Sequence, residues 1–441
     1  MNQMPRMAIG SIQPNVDSQR MLWALNECLN QQGLNVQNFS AQPAQTACCR
    51  EQSLCQVPIR ALDSWLLSER SCQELFWRTT RFADMAIVSG RYDTIQPPVG
   101  PSLNTVCRQL DLARIVVLDA SQMDSCLIPA RPESIDGILI DHLSPNESLQ
   151  HWQIIFAALW NTPVLGALNR PVNPAPAIKK HSHQITISTE QRQHLGRTLS
   201  RNLDMKRLLQ IARRDPLASP THRLITTRPG QNRIRIAVAL DEAFPCQCPD
   251  TLDLFESFGA SLHEFSPLRS DSLPHDTDLV YISCGNIQEM GDKLAQNICL
   301  HQSLHNYASR GGHIYAECDG LAYLCKEIRH PTGASIPMAG LLPTIAELQP
   351  EKAQAIPQES HLMGDSWFGK RGTQLRTYWN PRWRLTSSAA IKPLALTTNA
   401  APILIQHQQV IGNLTHLDLL AHPEYLPKIL TPAADYLSTF S

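Results

Sequence analysis

The chain has 441 residues, enough for two or three domains each with its own core. Its 38 basic and 39 acidic side chains leave a formal net charge of -1, so no long-range field recruits nucleic acid or an anionic membrane surface. No apolar run reaches membrane-spanning length and no basic-then-apolar leader pattern opens the sequence, which sets the expectation of a soluble, cytoplasmic protein.

Apolar, β-branched runs alternate with amphipathic ones from the start. Residues 19–33, "QRMLWALNECLNQQG", carry apolar positions at helical spacing and stop at Gly33. "ADMAIVSG" (83–90), "ARIVVLDAS" (113–121), "IDGILIDHL" (135–143) and "TPVLGAL" (162–168) read as buried strands, with a helix over 148–160 between the last two. Strand and helix in repeated alternation predict a parallel sheet covered on both faces. From about 171 to 230 the rhythm breaks into Pro-rich and basic stretches around a helical run, 188–214, read as a linker with one or two helices. The "HSH" at 181–183 in this stretch is read as a solvated loop, with metal ligation as the alternative. The alternation restarts with "RIRIAVAL" (233–240), "TDLVYISCG" (277–285), "GGHIYAEC" (311–318) and "VIGNLTHLDLL" (410–420). The expected architecture is α/β in two tandem domains, 1–228 and 229–441.

The 13 cysteines are odd in number, scattered over both halves and lack a CxxC pair. Reduced thiols are expected rather than a disulfide framework or a zinc ribbon, and no metal site is expected. The only cysteine clusters are Cys48-Cys49 with Cys55, and Cys246 with Cys248.

Cys318 stands out because it falls between the strand-like "HIYAE" and the helical "GLAYLCKEI", where a sharp turn presents a nucleophile. About 100 residues on, "THLDLLAHPE" offers His416 and His422. A cysteine on such a turn with a histidine near it suits attack on a carboxamide: the imidazole takes the thiol proton and returns it to the departing ammonia. A buried cysteine that merely packs is the competing reading. "TYWNPRWRL" (377–385) reads as a strand covering a surface, with stacking on a flat ring as the alternative.

The order of several words is more specific. "RIAVALDEAFPCQCPDTLDLFESFGASLHEFSPL", "DLVYISCGNIQEM", "GGHIYAECDGLAYL" and "IPMAGLLP" resemble the glutamine amidotransferase domain of the cobyrinic acid a,c-diamide synthase family, which reads DEAF, FSPL, AECGGLMYL and a PMVG-type turn in that order. In the first half, "ALDSWLLSE" (61–69) and "ADMAIVSGRYD" (83–93) are similar to the family's NLD-x-W and ADxAVIEGVMGLYDG. The resemblance implies an N-terminal P-loop-NTPase-like domain and a C-terminal class I glutamine-amidotransferase-like domain of flavodoxin-like build. It implies ATP and Mg²⁺ as cofactors and glutamine as the ammonia donor. The acceptor would be the ring carboxylates of a corrin or related tetrapyrrole, with a homodimer as the family's default assembly. Carried over by position, Cys318 is the nucleophile, His416 the base with His422 and Glu424 as rivals, and Gly285 the remaining oxyanion donor.

The departures concentrate in the ATP half. Where the family has GTxSGxGKTT, this chain reads "GSIQPNVDSQ" (10–19): Gly10 is kept, Pro14 and Val16 replace glycines, Asp17 replaces the lysine, and Ser18 follows it. Pro14 removes a backbone donor and Asp17 faces phosphate with like charge, a cost of roughly 4 kcal/mol per pair at about 4 Å and an effective dielectric near 20. The family's Mg²⁺ glutamate falls on Ser89, its GPDYID stretch is replaced by "AQPAQTACC", and its RGHEFHYS becomes "RGTQLRTYW". ATP and Mg²⁺ use is therefore expected to be weak or lost. Three readings stay open at this point: a full amidating ligase, a C-terminal glutaminase that feeds ammonia to a partner, and a catalytically silent subunit that binds a tetrapyrrole or a protein.

Overall fold

A computed structural model describes residues 4–14, 16–42, 59–92, 100–124, 127–171, 180–181, 184–185, 188–217, 234–245, 248–349, 356–379, 382–386 and 391–430. Cys48, Cys49, Cys55, Cys246, the "AQPAQTACC" segment beyond Gln42 and the last two residues of "HSH" lie outside them. The chain divides into two units, Met1–Leu224 and Ile225–Ser441.

In the first unit the strands are β1 (Arg6–Ser11), β2 (Val36–Ser40), β3 (Arg60–Ala61), β4 (Met85–Arg91), β5 (Ala113–Asp119), β6 (Gly137–Leu143) and β7 (Val164–Asn169). They form one seven-stranded sheet in the order β3-β2-β4-β1-β5-β6-β7, and every pairing in it is parallel. Parallel sheets are covered on both faces, which is why β1 is buried at all six positions and why these strands read as unbroken apolar runs. The helices are α1 (Gln19–Gln31), α2 (Glu69–Thr79), α3 (Leu103–Gln109) and α4 (Leu149–Trp160). On α1 the residues Met21, Leu22, Leu25, Cys28 and Leu29 recur at three and four spacing and are buried in the core with Ile9, Ile115 and Val117. Gly33, at φ 77°, follows the helix with its N–H on the Asn30 carbonyl, the turn that the sequence marked.

Past β7 comes a two-residue hairpin, β8 (Lys180–His181) with β9 (Gln184–Ile185), then α5 (Thr189–Ser200) and α6 (Met205–Ala212). Read from the sequence as linker helices, these two pack into the first unit's core. Leu199, Leu208 and Ala212 join its apolar cluster, and the Cys28 thiol donates to the Gly196 carbonyl at 3.0 Å. A complete capping box at Ser188–Gln191 starts α5.

The second unit opens with β10 (Arg235–Ala239), α7 (Pro249–Ser257), β11 (Ser261–Phe265) and β12 (Leu279–Ile282). Next come α8 (Ile287–Gln296), α9 (Ile298–Ser309), β13 (His313–Glu317) and α10 (Asp319–Leu324). The expected helix "GLAYLCKEI" ends early: Cys325 begins a strand, β14 (Cys325–Arg329), because pairing with β15 (Ser335–Pro337) and β16 (Leu342–Leu348) claims that backbone. The remaining strands are β17 (Ile356–His361), β18 (Gln374–Trp379), β19 (Trp383–Leu385), β20 (Lys392–Leu396), β21 (Pro402–His407), β22 (Val410–Asn413) and β23 (Thr415–His416), and α11 is Leu426–Ile429.

The main sheet runs β11-β10-β12-β13-β22-β21-β20, with the first five strands parallel and the last two antiparallel. "VIGNLTHLDLL" was expected as one strand, but it is two. The Asn413 side chain accepts from the N–H and hydroxyl of Thr415 at 2.9 and 2.6 Å, and this local turn hands Thr415–His416 over to a second sheet against β18. Asp241, from the "DEAF" word, accepts from Ala243 N and Phe244 N on one oxygen and from Ser266 Oγ and Leu268 N on the other. One carboxylate thus knits "DEAF" to "FSPL", a structural reason for both words. No helix among the described residues is long and apolar enough to cross a membrane.

Candidate active site

Cys318 sits between β13 and α10 with φ 49° and ψ -109°, a backbone conformation that is costly for any residue with a side chain. Two close approaches hold it. Its N–H donates to the Asn413 carbonyl at 2.7 Å, and Gly320 lies so near β12 that an added Cβ would stand 2.6 Å from the Ile282 carbonyl. A strained strand-to-helix turn of this kind presents a nucleophile. The tie to Asn413 also brings the turn to the strand end three residues before His416.

His416 is 4% exposed, and its Nδ1 lies 2.7 Å from Glu317 Oε2. Glu317 is the last residue of β13 and is itself anchored: Tyr315 donates its hydroxyl to Oε1 at 2.7 Å, and Leu417 N lies 3.3 Å from the same oxygen. Asn413 completes the chain by donating to the Tyr315 hydroxyl at 3.0 Å. Burial by itself would push the His416 pKa down. Glu317, helped by the neighbouring Cys248 thiol, outweighs burial and holds the imidazole protonated well above the usual histidine range. An imidazolium kept beside a carboxylate is suited to steady a thiolate and to give a proton to a leaving amine.

His422 and Glu424 make their own contacts. His422 Nε2 engages the backbone of Arg376 at 3.1 Å and its Nδ1 lies 3.3 Å from Glu424 Oε1, so this histidine fastens the segment after β23 to β18.

Gly285 lies where loops cross, with an added Cβ only 2.2 Å from the Ala243 carbonyl. Its N–H, the expected oxyanion donor, points at the chain's own Asp319, whose Oδ2 is 3.2 Å away. Asp319 occupies the place of the first glycine in the family's AECGG. It is 2% exposed and also accepts from Trp383 Nε1 at 2.7 Å and Arg382 Nη1 at 3.3 Å. Trp383, read from the sequence as surface cover, is buried and serves as a donor to this carboxylate. Asp319, Glu317, Arg382 and Trp383 were not singled out in the sequence. The Gly-to-Asp change beside Cys318 was the visible signal for the first of them.

In the first unit, Gly10 is kept for packing: a Cβ there would stand 2.6 Å from the Gly90 carbonyl across the β1–β4 pair. After β1, Gln13 exchanges two hydrogen bonds with the backbone of Asp119, at 2.7 and 3.3 Å, and Val16 N turns back to the Gln13 carbonyl at 3.4 Å. Asp17 accepts from Gln19 N at 2.9 Å, placing its carboxylate on the helix N-terminus where a phosphate would bind. Ser18 precedes α1 and makes no side-chain cap. Ser89 donates to the Phe39 carbonyl at 3.1 Å within the sheet. Arg20 pairs with the buried Asp141 and donates to the Asn169 carbonyl at 2.8 Å, closing the same sheet edge with an internal ion pair. Residues 10–19 contain no lysine or arginine, and Asp17 occupies the helix N-terminus.

A cysteine on a strained turn and a buried histidine–glutamate pair thus lie at strand ends of the second unit. Residues 235–421 match the family described as CobB/CobQ-like glutamine amidotransferase domain. Over most of its length the chain is similar to curated cobyrinate a,c-diamide synthases. It is 27% identical over 423 residues to the cobyrinate a,c-diamide synthase of Syntrophotalea carbinolica, covering 89% of this chain and 92% of that one. The cobyrinate a,c-diamide synthase of Dehalococcoides mccartyi strain CBDB1 is 26% identical over 465 aligned positions, covering 98% and 99%. Among solved structures, a crystal structure of glutamine amidotransferase is 15% identical over 44% of this chain and 98% of that one, with a TM-score of 0.35.

Proposed function

We propose that the second unit releases ammonia from glutamine on Cys318, for amidation of carboxylates on a corrin-type tetrapyrrole such as the relatives' names describe. The observation that carries this reading is the strained turn at Cys318 tied through Asn413 to the Glu317–His416 pair. In the step, the Cys318 thiolate attacks the carboxamide carbon and the Cys318 proton rests on His416. The tetrahedral oxyanion collapses, the imidazolium protonates the leaving nitrogen, and ammonia departs. Water, deprotonated by the now neutral His416, then hydrolyses the thioester to glutamate. Glu317 keeps the ring oriented through Nδ1. Gly285 N is the donor for the oxyanion, and it becomes available once the Asp319 carboxylate swings toward Arg382.

We further propose that the first unit does not bind ATP with Mg²⁺ in the manner of a P-loop, so acceptor activation falls to another protein or does not occur on this chain. Asp17, Pro14 and the sheet-bound Ser89 support this. A second reading, a member without glutaminase activity, is favoured by one observation: the Asp319 carboxylate on the Gly285 N–H. Ammonia release from glutamine by the full chain, with Cys318→Ala as the control, separates the two. A rate in the wild type that the variant lacks supports the first reading, and identical background in both sinks it.

A further inference from the structure

Asn413 touches both halves of the proposed reaction. Its carbonyl accepts the Cys318 N–H at 2.7 Å, so its backbone holds the turn of the nucleophile. Its side chain enters the support of the base. The N–H and the hydroxyl of Thr415 donate to Asn413 Oδ1 at 2.9 and 2.6 Å. A backbone N–H can only donate, so this contact settles which end of the amide is oxygen. The NH₂ end is then the donor to the Tyr315 hydroxyl, 3.0 Å away. A hydroxyl that accepts there keeps its single proton for Glu317 Oε1, at 2.7 Å. The protons of this relay all point one way, from Asn413 toward the carboxylate.

We propose that Asn413 and Tyr315 are positioning residues that keep the ring proton of His416 on Nδ1, so that Nε2 is the nitrogen exchanging protons with the reacting groups. An ionised carboxylate only accepts. Glu317 takes Tyr315 and Leu417 N on Oε1, and its Oε2, 2.7 Å from His416 Nδ1, requires the hydrogen on that nitrogen. The backbone builds the relay directly. Tyr315 and Glu317 are two apart on β13 and share a face, and Asn413 stands opposite Glu317 where β22 runs beside β13. All three are buried, so water does not compete as a donor. The inference rests on the glutaminase reading for its catalytic meaning, because it names what directs the base of that reaction.

Without the Tyr315 hydroxyl, Glu317 turns more of its charge on His416 and the ring holds its second proton more tightly. Among the described residues, the other titratable groups around the relay are Cys248, Tyr281, Cys284, Cys318, Tyr378 and Asp418. A substitution at Tyr315 leaves all of them in place. The ring itself stacks on Phe368 with centroids 5.1 Å apart, packing that Tyr315→Phe retains.

The test is NMR of the full-length protein carrying ¹⁵N-histidine, with His416 identified by the signal missing from His416→Gln. In the wild type the proton on Nδ1 should persist from the imidazolium into the neutral ring. Tyr315→Phe should raise the His416 titration midpoint by roughly one pH unit, the equivalent of one hydrogen bond to a charged group. The rising limb of glutamine hydrolysis against pH should move up with it, since thioester hydrolysis needs the neutral ring. Tyr281→Phe strips a hydroxyl from the ring stacked on Tyr315 and should leave the midpoint where it is. A neutral wild-type ring that carries its proton on Nε2 overturns the proposal without any variant. An unmoved midpoint in a folded Tyr315→Phe protein overturns it as well. The spectra are recorded without glutamine, so a lack of ammonia release counts against the glutaminase reading and not against the relay.

Discussion

The two units treat their anion-binding corners in the same way and their chemistry in opposite ways. In the first, Asp17 sits on the Gln19 N–H at the start of α1, and in the second, Asp319 sits on the Gly285 N–H. Each aspartate satisfies a backbone donor from within the chain, so neither corner needs a ligand to fold. Around Asp17, however, the cationic side chain and two glycines of the cradle are gone as well. Around Asp319, the two groups proposed to react are in place: Cys318 on its strained turn and His416 on Glu317. Losing an anion cradle is thus compatible with keeping the fold, because internal hydrogen bonds replace the ligand. Keeping a strained turn is harder to explain by folding alone, since strain of about 1–3 kcal/mol has to be offset by its surroundings.

The comparison breaks most readily at the reacting groups. Cys318→Ala should abolish glutamine hydrolysis, and His416→Ala should lower its rate by roughly 10²–10⁴-fold, as measured by ammonia release. A His422→Ala variant that does the same while His416→Ala stays active would reverse the assignment of the base.

Asp319→Gly sharpens the contrast by restoring the family's residue. Glutamine hydrolysis should rise, by at most the roughly 10²–10³-fold that one oxyanion donor supplies. The same variant should lose stability, by about 1–3 kcal/mol, as Trp383 Nε1 and Arg382 lose their acceptor. An unchanged rate in a folded Asp319→Gly protein would remove the plugged-donor account.

On the first unit, ATP with Mg²⁺ at 1 mM should leave the melting temperature unmoved. Binding with a Kd of about 10 µM would contribute roughly 2.7 kcal/mol and shift the transition by several degrees. Such a shift would return the first unit to nucleotide binding.

A further effect concerns pH. His313, stacked on Trp367 with ring centroids 4.4 Å apart, has its pKa pushed down to about 4 by burial, against 6.5 for an unperturbed histidine. The unfolded chain binds the additional proton between those values. Stability that is fully present above pH 6.5 is therefore lost as pH falls toward about 4, by at most about 1.4 kcal/mol per unit. His313→Phe should flatten the fall in denaturant midpoint between pH 6.5 and 4.5, and an unchanged slope would assign it to other groups.

Much of this was legible because the governing signals are local. Buried parallel strands read as unbroken apolar runs, α1 shows its apolar face at three and four spacing, and Cys318 lies where strand periodicity gives way to helix. The relation of "DEAF" to "FSPL" was legible as word order and acquires a cause in Asp241. The rest depends on contacts between distant residues. Trp383 looks like a surface aromatic until Asp319, 64 positions away, receives its N–H. Glu317 is one polar residue ending an apolar strand until His416, 99 positions on, is placed beside it. The linker helices join the first core only because Gly196 lets α5 lie against α1, where a Cβ would meet Glu27 at 2.4 Å. Where "THLDLL" leaves its strand is decided by the Asn413 side chain, and strand periodicity carries no trace of it.

The central claim is that the strained turn still holds a reactive nucleophile. The most direct measurement is peptide mass spectrometry of the full chain after treatment with a glutamine-like diazo-ketone. The account predicts one adduct on Cys318, formed ahead of the exposed Cys299, lost in Cys318→Ala and slowed in His416→Ala. Label on Cys299 with Cys318 unmodified would contradict it.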